Sequence, residues 1–134
     1  GTASVAAQNW LGRRTPLHAT SSGKVLLAPL PPAARESLLA RPLPRFTERT
    51  VTDAGTLRAE LDRGVERGHG VTNEELEPGL AAVAAPVRAH DGEVIAAISV
   101  SGPVYRLNRD RLTEVARRTV AAGTELSRRM GYGF

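Results

Sequence analysis

Leu80-Ala81-Ala82-Val83-Ala84-Ala85-Pro86-Val87 and Val94-Ile95-Ala96-Ala97-Ile98-Ser99-Val100-Ser101, joined through His90-Asp91-Gly92, form the stretch on which the fold turns. Two apolar runs flanking an Asp-Gly pair predict an antiparallel hairpin, because Asp-Gly accepts the backbone angles of a tight turn. Side chains alternate faces along a strand. Val94, Ala96, Ile98 and Val100 therefore make one apolar row and Ile95, Ala97, Ser99 and Ser101 the other, and both faces are expected to be covered. The second row sets two hydroxyls side by side, opposite a strand whose small Ala82 and Ala84 leave room. A buried hydroxyl without a partner costs roughly 1–3 kcal/mol, so the serines either bond to neighbouring backbone or receive a polar ligand.

Helices flank the hairpin on both sides. Asn108 caps a long helix to about Met130, with Leu112, Val115, Thr119, Ala122 and Leu126 along its apolar side. Upstream, Thr20 or Ser21 opens a helix to about Ala28, ended by Pro29, Pro31 and Pro32, and a short second helix runs from Pro32 to Ala40. Asp53 caps a third from Ala54 to Arg67, with Leu57, Leu61 and Val65 on one face and Gly68 and Gly70 terminating it. Ala3 to Trp10 reads as a further strand. Antiparallel strands with helices beside them define the class α+β.

Composition narrows the functional classes. With 134 residues, 41% hydrophobic and 24% charged, residues 1–134 suit one soluble domain, and no apolar run approaches the roughly 20 residues of a membrane helix. No membrane partner is expected. The first residues lack a basic stretch followed by an apolar one, so no signal peptide is read, and the absence of cysteine excludes disulfides and agrees with a cytoplasmic location. Between Arg106 and Arg129 lie seven arginines against Asp110, Glu114 and Glu125, an excess equal to the whole formal charge of +4. That concentration describes a solvated helix face or, alternatively, a nucleic-acid contact. Lys24 is the only lysine, as expected of Arg-rich coding bias.

Three further features bear on chemistry. His18-Ala19-Thr20-Ser21-Ser22-Gly23-Lys24 is a small polar run opening a helix, where free N–H groups suit a carboxylate or phosphate. It is not a P-loop, since His18 stands where a glycine is required and Val25 where Ser or Thr would hold magnesium. Thr72-Asn73-Glu74-Glu75-Leu76-Glu77-Pro78-Gly79 reads as a solvated acidic link rather than an acid–base pair. His18, His69 and His90 are widely spaced and have no cysteines to join them, so no metal and no cofactor is expected. A serine-dependent hydrolase, with Ser99 or Ser101 as nucleophile and His18 as base, remains an alternative, although no G-x-S-x-G elbow surrounds either serine.

Taken together, Gly12-Arg13-Arg14-Thr15-Pro16-Leu17-His18-Ala19-Thr20-Ser21-Ser22-Gly23-Lys24, then Glu74-Glu75-Leu76-Glu77-Pro78-Gly79-Leu80 with Ala84-Ala85-Pro86-Val87, and finally Ala97-Ile98-Ser99-Val100-Ser101-Gly102-Pro103 resemble the effector-binding domain of the IclR family of transcriptional regulators. The likeness spans about Gly12 to Gly131. It implies a GAF-like antiparallel sheet flanked by helices, with no enzymatic step. It also implies self-association as a dimer or tetramer, and operator DNA as a partner only through an N-terminal helix-turn-helix domain absent here. The family's sensing domain normally begins before the point where Gly1 starts, so an N-terminally truncated domain is expected.

The resemblance also assigns a site. In family members that sense small 2-oxo acids, the ligand carboxylate meets backbone amides at positions matching Ser21 and Ser22, and two strand serines match Ser99 and Ser101. Thr72 stands where an acidic residue is usual and Ala82 where a cysteine is. Those two differences point away from glyoxylate or pyruvate and toward a larger, aromatic organic-acid effector, with its body against Leu26, Ala82 and Ala84.

Overall fold

The structure, a computed structural model, describes residues 16–133, so the strand expected over Ala3–Trp10 lies outside the described residues. Within them the order is α1 (Ser21–Leu27), α2 (Pro32–Leu39), α3 (Ala54–Arg67), β1 (Gly70–Asn73), β2 (Leu80–Arg88), β3 (Val94–Pro103) and α4 (Arg109–Arg129). The strands form one antiparallel sheet, β1-β2-β3, and the class is α+β as expected.

Local chemistry sets the helix bounds. The Thr20 hydroxyl accepts from the Gly23 amide at 3.0 Å, the Asp53 carboxylate from the Thr56 amide at 2.8 Å, and the Asn108 side chain from the Arg111 amide at 3.1 Å. Each satisfies an N–H that the first helical turn leaves unpaired. At the far end of α3, Gly68 takes a left-handed φ of 84° that a side chain would resist. Removing one cap gives a measurable effect: Asn108→Ala is expected to lower stability by about 1 kcal/mol, seen as an earlier thermal transition.

The hairpin closes through His90-Asp91-Gly92. The Gly92 amide donates to the Ala89 carbonyl at 2.9 Å, the Ala89 amide to the Glu93 carbonyl at 2.8 Å, and Gly92 has a φ of 87°. A register shift at Val87/Arg88 frees the Arg88 amide from the ladder, and it donates to the Ser127 hydroxyl of α4 at 2.8 Å.

Two faces of the sheet receive different helices. α4 lies over β2 on the face of Ala85, held close by Gly123, where a Cβ would stand 2.7 Å from the Pro86 carbonyl oxygen and 3.3 Å from the Ala85 Cβ. The buried row of α4 is therefore Ala116, Thr119, Gly123 and Ser127. The expected row of Leu112, Val115, Thr119, Ala122 and Leu126 shares only Thr119 with it, and Leu126 is exposed. Close approach to an alanine-rich strand selects small residues, and Leu112 and Val115 lie only half-buried beside that row.

On the opposite face, Leu27 of α1 joins Leu39, Leu57 and Leu61 in a leucine core. Full burial of such a side chain contributes about 1.5–3 kcal/mol. Val65, expected beside Leu57 and Leu61, is exposed instead. The expectation that both faces of β3 are covered also fails among the described residues, since Ile95, Ala96, Ser99 and Val100 are exposed. β3 is an edge strand, and α4 sits mainly over β2.

Candidate functional site

Register brings the expected site residues onto one face. Thr72 pairs with Ala82, and Ala82 with Ser101, in a single row across three strands. Gly70, Ala84 and Ser99 make the adjacent row. Directly paired residues, and those two apart, project to the same side of a sheet. Thr72, Ala82, Ala84, Ser99 and Ser101 therefore share a face.

α1 crosses that face. A Cβ on Gly70 would lie 2.8 Å from the Ser21 carbonyl oxygen and 3.1 Å from Val25 Cγ2, so the absence of a side chain lets the first turn of the helix settle on β1. Gly70 was read from sequence as a helix terminator; it is the first residue of β1 and the seat of α1. The Gly23 amide is capped by Thr20 and the Lys24 amide bonds to the Thr20 carbonyl at 3.1 Å. Ser21 and Ser22 occupy the first two helical positions, whose N–H groups have no intrahelical acceptor.

Burial sorts the six residues. Ser21 is 3% exposed and Thr72 4%; Ser22, Ala82 and Ser101 are half-buried; Ser99 is exposed. Neither the Ser21 nor the Thr72 hydroxyl has a hydrogen-bond partner among the described residues. Two buried hydroxyls left in that state each cost roughly 1–3 kcal/mol.

The acidic link is not a solvated loop. Thr72 and Asn73 belong to β1, a strand too short and too polar to show alternation. Past it, Glu74 adopts a φ of 59°, and its carboxylate accepts from the Gly79 amide at 2.8 Å. The Thr50 hydroxyl donates to the Glu75 carbonyl oxygen at 2.7 Å, and Thr47 donates likewise to that of Glu74.

Glu75 turns inward, where sequence reasoning missed a charge cluster. The Lys24 ammonium, 3% exposed, meets Glu75 Oε1 and Glu60 Oε1 at 2.5 Å each and donates to the Val71 carbonyl at 3.1 Å. Burial raises the Glu75 carboxyl above its usual range, the nearby Lys24 charge only partly opposing it. The one available signal was Lys24 itself, a single lysine among 18 basic residues, whose compact ammonium offers three donors to the three acceptors it meets.

Other candidates differ in how they relate to this face. His18 Nε2 sits 2.8 Å from the Pro44 carbonyl oxygen and its ring packs on Phe46, so it faces no serine and cannot serve as base to Ser99 or Ser101. On α4, Glu114 pairs with Arg111 and Arg118, and Glu125 with Arg128 and Arg129, all on a solvated surface. A cavity of about 650 Å³ opens on the same sheet face alongside α1, lined by Lys24, Val25, Glu60, Gly70, Pro86 and Arg88 among others. None of the six expected residues lines it.

Comparisons with known proteins agree with this architecture. Residues 1–128 match the family model described as bacterial transcriptional regulator IclR C-terminal. The chain is 41% identical over 123 residues to the HTH-type transcriptional regulator KdgR of Escherichia coli K12, covering 91% of this chain and 47% of KdgR. It thus spans about half the length of that curated relative. The crystal structure of the KdgR C-terminal domain superposes with a TM-score of 0.82, covering 90% of this chain and 74% of that one. The inducer-binding domain of a PobR double mutant from Acinetobacter, in complex with 3-hydroxybenzoic acid, is 33% identical with a TM-score of 0.80, covering 87% and 67%. A matched family model over nearly the whole chain, together with the same fold in these relatives, places the protein in the IclR family of bacterial transcriptional regulators, as its C-terminal, effector-binding part.

Proposed function

We propose that this chain senses an organic acid whose carboxylate rests on the amides of Ser21 and Ser22, with Thr72, Ala82, Ser99 and Ser101 lining the hollow beside it. What carries the proposal is the pair of buried hydroxyls, Ser21 and Thr72, without a partner among the described residues and on the sheet face that α1 crosses. A ligand that accepts from both would remove their desolvation cost. The one-carbon side chain of half-buried Ala82 supports a body larger than a two-carbon acid, and a related domain is known in complex with 3-hydroxybenzoic acid. That compound is the natural first probe.

No bond is made or broken in this function. The regulator acts on operator DNA through a helix-turn-helix domain outside this chain, in the cytoplasm and as a homo-oligomer. The ligand changes DNA affinity only by binding two arrangements of the oligomer unequally, and a tenfold preference corresponds to roughly 1.4 kcal/mol. Residues 1–134 act as a single sensing unit that belongs to a longer domain.

Calorimetry on Ser99→Ala/Ser101→Ala tests the site. A neutral hydrogen bond is worth about 0.5–1.5 kcal/mol, so losing two should weaken 3-hydroxybenzoate binding roughly 5- to 150-fold. The melting temperature should hardly change, because Ser99 is exposed and Ser101 half-buried. A large fall in melting temperature with unchanged affinity would make the serines structural.

A further inference from the structure

The buried cluster of Lys24, Glu60 and Glu75 joins pieces distant in sequence: α1, α3, the outer edge of β1 and the loop leading into β2. Its three contacts use all three ammonium donors, so Lys24 has one satisfied orientation. That orientation fixes where α1 lies along the sheet. Ser21 and Ser22 stand three and two residues before Lys24, on the helical turn whose Ser21 carbonyl presses on Gly70. Thr72 follows Val71, the strand residue that Lys24 grips. One ammonium therefore holds both the amides on α1 and the hydroxyl on β1.

We infer that Lys24 is the positioning residue of the ligand cradle, its ammonium locking the first turn of α1 to β1 and Glu75 so that the Ser21 and Ser22 amides and the Thr72 hydroxyl face one hollow. This rests on the proposal that an organic acid binds there. Lys24 does not itself touch the acid. A cluster of one cation and two carboxylates carries a net negative charge, which by itself disfavours an anion nearby, so any help Lys24 gives to carboxylate binding is geometric rather than electrostatic.

The test uses the full chain carrying Lys24→Met, Glu60→Gln and Glu75→Gln together. Hydrophobic residues of similar volume in place of a buried ion cluster are often neutral or stabilising, and here all three charges go together so that none is left unpaired; a thermal melt verifies that the fold is kept. Two readouts follow. Amide exchange at Val25, Leu26 and Leu27 should accelerate about tenfold or more relative to amides of β2, since α1 has lost its tether. The preference for 3-hydroxybenzoate over the neutral 3-hydroxybenzamide should fall about tenfold, even though a net negative charge has been removed beside the site. A merely structural role would weaken both compounds alike and leave the ratio intact.

Unchanged α1 exchange overturns the inference, as does faster exchange with an unchanged preference. Were the unaltered chain to bind neither compound, the ligand proposal and the cradle role would fall together, while the exchange result would still decide whether Lys24 tethers α1.

Discussion

Lys24→Met is expected to cost the fold about 3 kcal/mol, the lower part of the range for removing one partner from a buried ion pair. The lower part applies because Glu60 and Glu75 keep 17% and 12% of their side-chain surface in water. What is lost is less the attraction itself than the cover it gives to two carboxylates facing each other across α3 and the β1–β2 loop. The loss should depend on pH. In the intact chain burial raises the Glu75 carboxyl, and the Lys24 charge and hydrogen bond pull it down. Without Lys24, burial and the Glu60 charge are opposed only by the hydrogen bond from the Asn73 amide, and the folded-state value rises further. A group raised on folding favours the fold fully below its unfolded value, here about 4.5, and loses that contribution as pH climbs through the folded value. The stability gap between variant and intact chain should therefore be widest near neutrality and narrow toward pH 5. Urea unfolding across that range measures it, and a gap that stays constant would mean Glu75 is not the group left uncovered.

Gly23→Ala should also destabilise, against the direction that helix propensity suggests. Alanine inside a helix is favoured over glycine by about 0.8–1 kcal/mol. At position 23, however, the added Cβ would stand 2.5 Å from both the Leu17 Cα and the Leu17 carbonyl oxygen, and 2.6 Å from the Thr20 hydroxyl. The Leu17 atoms are backbone and cannot rotate aside. Overpacking of this kind costs about 1–3 kcal/mol and displaces the Thr20 cap, itself worth about 1 kcal/mol. The denaturation midpoint should fall further than in Asn108→Ala, and 3-hydroxybenzoate affinity should fall with it, because the same turn carries Ser21 and Ser22. Raised stability would show that the segment before α1 yields.

How much of this was legible in the residues depended on range. Bounds of α3 and α4 followed from Asp53, Gly68 and Asn108, each acting on its own first or last turn. β2 and β3 followed from apolar runs and the turn between them, but the pairing of Ala82 with Ser101 and Ala84 with Ser99 did not, because a register shift at Val87/Arg88 intervenes between the turn and those rows. β1 escaped because Gly70-Val71-Thr72-Asn73 has no alternation; it is a strand only because β2 offers a ladder. The seat of α4 was misassigned because its apolar periodicity hides the requirement for small residues at Ala116 and Gly123. Lys24 was opaque for the same reason in stronger form: its carboxylate partners lie 36 and 51 residues away, and no local pattern announces a contact of that span.

Titration of the chain with 3-hydroxybenzoate, followed by backbone amide resonances, tests the central claim most directly. Shifts concentrated at Ser21, Ser22, Thr72, Ser99 and Ser101 are predicted. Shifts confined to His69, Arg88 and their neighbours around the 650 Å³ cavity would contradict it, placing the acid in that cavity and not on the Ser21 and Ser22 amides.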